Sequence, residues 1–166
     1  MDLRAVQQPI KDAYRADPDQ ARITLTARGS AADAPVACSV DLGRAIYEAQ
    51  AHTGVGGAGT AACSGDLLLG ALAACAQLTC QMVATAMGLE VRSIETTVEG
   101  DLDLRGTLGL DCEVGAGFTA LRLRFAVDAP DASHEDLDAL LRKTERYCTV
   151  AQTLMSPPAL QVELSS

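Results

Sequence analysis

From Leu67 to Leu89 the chain runs for 23 residues without a charged side chain, and this stretch limits the fold more than any other. As an α-helix it would be about 35 Å long, enough to cross a bilayer. Gln77, Thr79, Gln81 and Thr85 are spread through it, however, Gly70 and several alanines dilute it, and no Lys/Arg cluster marks a flank. Membrane insertion is therefore not expected. A helix apolar on nearly every face is instead the central helix of a soluble fold, covered by sheet on one side and by more helix on the other. One domain of 166 residues has little chain left to cover it. That shortage predicts an oligomer in which a second copy supplies the cover. Ser64 or Asp66 can cap the helix start and Gly88 can end it.

The flanking segments change period. Residues 1–21 read as a short accessory amphipathic helix, with Pro9 at a first helical position, Ile10, Ala13 and Tyr14 on one face, and Asp17-Pro18 as the stop. From Arg22, Ile23, Leu25 and Ala27 alternate with polar residues, a turn follows at Gly29 to Pro35, and Val36 to Leu42 and Arg44 to Gln50 complete an antiparallel meander. After the helix, Val91 to Arg105 and Thr119 to Asp128 read as strands joined by a long connection. Ser133-x-x-Asp136 announces a second helix of capping-box type. Leu137, Leu140, Leu141, Thr144 and Cys148 then recur at helical spacing, which puts Cys148 on the buried stripe at or past the helix end. Pro157-Pro158 precedes a last strand, Leu160 to Leu164. Strands, buried helix, strands, helix, strand is an α+β order, read here as a single domain over residues 1–166.

Charge and composition remove several functions. A net charge of −9 repels phosphate backbones and anionic lipid, and 3% aromatic residues leave little to stack on bases, so neither nucleic acid nor a membrane is an expected partner. Gly54 to Gly59 satisfies G-x-G-x-x-G in letters alone. The helix opens several residues too late for a dinucleotide site, and no acidic residue stands about 20 positions on. A loop is the expected reading, and no bound cofactor is implied.

Six cysteines carry the remaining chemistry: Cys38, Cys63, Cys75, Cys80, Cys112 and Cys148. The N-terminus has no apolar run of signal-peptide type, which points to the reducing cytoplasm and to free thiols. No C-x-x-C pair occurs, and only His52 and His134 could join them, so no metal site is expected. Cysteine is also an ordinary small core residue. Cys75 and Cys80 lie about 140° apart around one helix and cannot bridge without deforming it. Cys75 is too deep in the helix for the dipole to lower its pKa much, so a nearby arginine is expected to do so.

The block SGDLLLGALAACAQLTCQMVATAMGLEV, with VEGDLDLRG, FTALRLRFAVD and the late TERYCTVAQTL, resembles the OsmC/Ohr family of osmotically inducible and organic hydroperoxide resistance proteins. The resemblance runs from about Arg22 to the C-terminus. It implies an antiparallel sheet wrapped around two central helices in an intertwined homodimer, with active sites at the subunit interface. It puts the peroxidatic role on Cys75 in LAAC and the resolving role on Cys148 in RYCTV. The implied activity is reduction of an organic hydroperoxide through a sulfenic acid and a disulfide, which a small dithiol then reduces. The family's thiolate-stabilising arginine falls best on Arg28, with Arg22 and Arg44 as alternatives. Two departures stand out. Gly65 occupies the place of the family glutamate, leaving Asp66 either to orient the arginine or only to cap the helix. Thr149 occupies the place of the proline in the family's cysteine-proline-valine motif. Cys63 is an extra thiol, either buried or a different resolving partner. A non-enzymatic member binding an apolar small molecule or reactive metabolite in the same cleft is the alternative.

Overall fold

A computed structural model describes residues 8, 9, 11–13, 16, 17, 28–31, 37–41 and 46–164. The elements are β1 (Arg28–Ala31), β2 (Ala37–Asp41), β3 (Ile46–Gln50), a 3₁₀ turn (Thr53–Val55), α1 (Ser64–Met87), β4 (Ser93–Leu102), α2 (Leu104–Thr107), β5 (Phe118–Asp128), α3 (His134–Tyr147) and α4 (Thr149–Met155). The chain divides into two compact units, Met1–Leu69 with Glu99–Arg122 and Gly70–Val98 with Leu123–Ser166. Residues 8, 9, 11–13 and 16 are helical, as expected of the N-terminal segment; the rest of that segment lies outside the described residues.

In the first unit β1, β2 and β3 form an antiparallel meander, with Arg28 opposite Asp41 and Cys38 opposite Ala49. The strand expected from Arg22 lies outside the described residues up to Arg28. The turn is shorter than its glycine and alanines suggest: Gly29, Ser30 and Ala31 pair with Val40, Ser39 and Cys38, which satisfies backbone groups that a turn would leave to water. In the glycine-rich loop the His52 imidazole accepts the Gly54 N–H at 3.0 Å and caps the 3₁₀ turn. Gly56 and Gly59 take φ of 93° and 73°, the left-handed region where glycine is favoured. The glycines serve the turn.

β4 stops three residues before the expected Arg105, because the Asp103 carboxylate takes the Arg105 N–H and starts α2. The two longest strands pair antiparallel: Arg92 N–H donates to Asp128 O at 2.8 Å, and the Thr119 hydroxyl to Asp101 O at 3.2 Å. Arg122 is held between Asp101 and Glu99, and Arg105 between Asp103 and Asp111.

The second unit holds the buried part of α1. Leu72, Ala76, Thr79, Cys80, Val83 and Ala84 recur every three to four residues and form one stripe against two apolar clusters. Gln77 fixes the helix to β4: its Nε2 donates to Ile94 O at 2.8 Å, and the Thr96 hydroxyl donates to its Oε1 at 2.7 Å. α1 is the helix, among the described residues, long and apolar enough to cross a membrane. One stripe of it is buried in the apolar clusters, and Gln77 ties it to β4. α3 starts at a reciprocal capping box between Ser133 and Asp136 and buries Leu140 and Thr144, whereas Leu141 is 40% exposed.

At the C-terminal end one element was not expected and one expectation fails. A separate helix, α4, begins directly after Cys148. Residues 160–164 form no strand, and Leu160, Val162 and Leu164 stand 88%, 86% and 97% exposed. A strand needs a neighbour to complete its ladder, and none among the described residues pairs with this segment.

Candidate functional site

Two cysteines 73 positions apart in sequence meet in the second unit. Cys75 comes from α1, one residue from the buried Ala76, and is only partly covered. Cys148 is fully buried at the joint where α3 ends and α4 begins, with φ −74° and ψ 105°. Leu72, Ala76 and Ala151 surround them, with Val98, Leu123, Phe125, Val150 and Leu154 packed outside. The pairing follows from two stripes: α1 presents positions 72, 75, 76 and 79 on one side, and the spacing 140, 144, 148 carries α3 to its own end.

The two sulfurs are electrostatically unlike. Burial pushes the Cys75 thiol up, but hydrogen bonds from the Val150 N–H, the Cys148 thiol, the Thr79 hydroxyl and the Thr149 N–H outweigh it, so Cys75 ionises below the ordinary thiol range. Burial pushes Cys148 up, and the neighbouring Cys75 sulfur pushes it further against the opposing N–H groups of Ala151 and Val150. Cys75 therefore gives up its proton more readily than Cys148. This is the polarity that nucleophilic attack by Cys75 and later condensation by Cys148 require.

Of the other thiols, the Cys38 side chain lies outside the described residues. Cys80 is fully buried and burial raises its pKa, with the Thr144 hydroxyl, otherwise without a partner, as its one offset. Cys112 is exposed in the connection before β5. Cys63 is half-buried in the first unit, where its N–H donates to Asp66 Oδ2 at 2.9 Å. That bond, with the Cys63 thiol, holds the Asp66 carboxyl below the usual carboxylate range, against slight burial and with help from His52. Asp66 is thus the acid of the first turn of α1, reaching back to the residue before the helix. Cys63 also borders a cavity of about 410 Å³ lined by His52, Leu68, Leu102, Leu104 and Phe118.

Of the four expected site residues, Cys75 and Cys148 are brought together in the second unit, while Arg28 and Asp66 belong to the first. The Arg28 backbone pairs with Asp41 in the meander; its side chain, and all of Arg22 and Arg44, lie outside the described residues. The donors missed by sequence reasoning are the two backbone N–H groups of residues 149 and 150 and the Thr79 hydroxyl. The i, i+4 spacing of Cys75 and Thr79 was the available signal for the last. Among the described residues no three His, Cys, Asp or Glu side chains cluster as metal ligands would.

Known proteins share this fold. The family model described as OsmC-like protein matches residues 57–163. No curated protein matches the chain. Among solved structures, an OsmC-like protein from Mycoplasma pneumoniae superposes with a TM-score of 0.69 at 14% identity, over 81% of this chain and 89% of that one. An organic hydroperoxide resistance protein from Legionella pneumophila gives 0.63 at 17% identity, over 81% and 90%. The organic hydroperoxide resistance protein OhrB of Bacillus subtilis gives 0.52 at 17% identity, over 81% and 93%.

Proposed function

The chain belongs to the OsmC-like protein family, and on that premise we propose that it is a thiol-dependent peroxidase that reduces organic hydroperoxides in the cytoplasm. The observation that carries this reading is the meeting of Cys75 and Cys148 in one apolar cluster, with the first thiol shifted towards ionisation and the second away from it. The Cys75 thiolate attacks the terminal oxygen of R–O–OH, the O–O bond breaks, and the RO⁻ leaving group takes a proton and departs as the alcohol. Cys75 is left as a sulfenic acid. The Cys148 thiol then attacks that sulfur, the S–S bond forms, and the hydroxyl leaves with the thiol proton as water. A small dithiol restores both thiols by two exchange steps. The apolar surroundings of the pair favour an alkyl or acyl hydroperoxide over hydrogen peroxide. Arg28 is the charge partner that family resemblance implies for the thiolate and the peroxide. The working species is a homodimer, in which a second copy covers α1.

The cavity beside Cys63 favours the second reading, an OsmC-like protein that binds an apolar small molecule without turning it over. Thiol counting after one equivalent of an alkyl hydroperoxide separates the two. The peroxidase loses two thiols, recovers them with a dithiol, and loses none as Cys75→Ser; Cys148→Ser leaves a sulfenic acid that a dimedone-type probe traps. A binding protein loses no thiols on this timescale.

A further inference from the structure

Gln77 stands in the uncharged helix between Cys75 and Cys80, and its amide pins α1 to β4. Alternate residues of a strand share a face, and Ile94, Thr96 and Val98 are the half-buried residues of β4 over this stretch. Val98 packs in the apolar cluster of Cys75 and Cys148, and Ile94 packs in that of Cys80 and Leu140. Thr96 falls between the two clusters, where its hydroxyl donates to Gln77 Oε1 at 2.7 Å while Gln77 Nε2 donates to Ile94 O at 2.8 Å. A carbonyl oxygen can only accept, so the amide has one orientation, and both its ends are engaged. Apolar packing is non-directional and by itself leaves an alanine-rich helix free to slide or turn. The clasp selects one register. A slip of one residue along α1 would carry the amide about 1.5 Å along the axis and about 100° around it, out of reach of both partners.

We propose, on the reading of Cys75 and Cys148 as a redox pair, that Gln77 is their positioning residue: the clasp of Ile94, Gln77 and Thr96 holds α1 in the register that brings the Cys75 sulfur to the buried Cys148. Cys75 lies two residues before Gln77, about 200° around the helix, so it takes the depth and rotation that the clasp sets. Cys148 cannot follow a displaced helix. It is fully buried, and its N–H and carbonyl are bound to Thr144 O and the Gln152 N–H, each at 2.9 Å. A bridge needs its two Cβ atoms about 3.5–4.5 Å apart, a tolerance narrower than one helical step. The clasp therefore raises the effective concentration of one thiol at the other and stabilises the bridge against an external dithiol.

The full chain is equilibrated with a buffer of dithiothreitol and its cyclic disulfide, and the Cys75–Cys148 bridge is read by peptide mapping. Reduction breaks that S–S bond, delivers two electrons and two protons to the sulfurs, and leaves the reductant as its ring disulfide. Gln77→Leu keeps an apolar side chain of similar reach and removes the clasp. Thr96→Val removes only the hydroxyl, and Thr96→Ser keeps the hydroxyl while losing a methyl. The expected result is a bridge about tenfold easier to reduce in Gln77→Leu and in Thr96→Val, a potential about 30 mV less negative, with Thr96→Ser at the parental value. Loss of stability alone would lower the denaturation midpoint of Thr96→Ser as well and move no potential. If Gln77→Leu does not fold, the two Thr96 variants decide. Parental potentials in the folded Gln77→Leu and Thr96→Val chains, or a parent that forms no Cys75–Cys148 bridge in this buffer, overturn the positioning role. A parent and variants that show these shifts in the buffer, with no bridge formed under an alkyl hydroperoxide, keep that role and overturn the peroxidase reading instead.

Discussion

Cys75 and Cys80 sit on one helix and share one chemistry, yet burial raises Cys80 while donors bring Cys75 down. The difference is one of neighbours: Cys80 has a single hydroxyl, and Cys75 has two N–H groups, a hydroxyl and a thiol. Since the Cys75 shift favours the anion, its reaction with an alkylating agent should rise with pH to a plateau reached below the range of an ordinary thiol. Arg28→Ala tests the remaining charge partner at the same scale. Loss of a close guanidinium should raise the Cys75 midpoint by about 1 to 3 units, read from alkylation rate against pH beside Arg22→Ala and Arg44→Ala. An unchanged midpoint in Arg28→Ala removes it from the site.

Elements were legible in the sequence where the signal was local. Ser133 and Asp136 announce α3 because a capping box is written within four residues, and alternation at Leu121, Leu123, Phe125 and Val127 marks β5 because a pleated strand repeats every two. α4 was not legible: seven residues, two of them threonine and one valine, carry no period of their own. The site divides in the same way. Cys75 and Cys148 were found through the family resemblance, whereas the backbone donors at 149 and 150 have no letter in the sequence. Asp66 was open between two roles, and its bond to the Cys63 N–H is a helix-capping contact. Asp66→Asn should therefore cost about 0.3–1 kcal/mol of stability at neutral pH and leave the Cys75 titration alone. The carboxyl is lowered in the folded chain, so its contribution is complete above the ordinary carboxylate range and lost as pH falls through the depressed value. Denaturant melts of both proteins between pH 2 and 7 check this: the difference should vanish at the acid end.

At the scale of the molecule, apolar surface is left over. Leu78 and Met82 on α1 are 58% and 40% exposed, and Leu160, Val162 and Leu164 extend into solvent without a ladder. Isolated apolar residues are common on surfaces, but an exposed leucine and methionine on one long helix, with an alternating segment that pairs with no described strand, fit the proposed homodimer. The homodimer proposed above should bury an interface of the obligate class, above about 2,000 Å². Sedimentation at micromolar concentration should give a dimer; a stable monomer there would count against it.

If two sulfurs on separate helices form one redox unit, peptide mapping after a single equivalent of an alkyl hydroperoxide will reveal it. One new bridge is expected, between Cys75 and Cys148, reversed by a small dithiol and absent from Cys75→Ser. A bridge from Cys75 to Cys63 or Cys80, or six thiols still free, would contradict it.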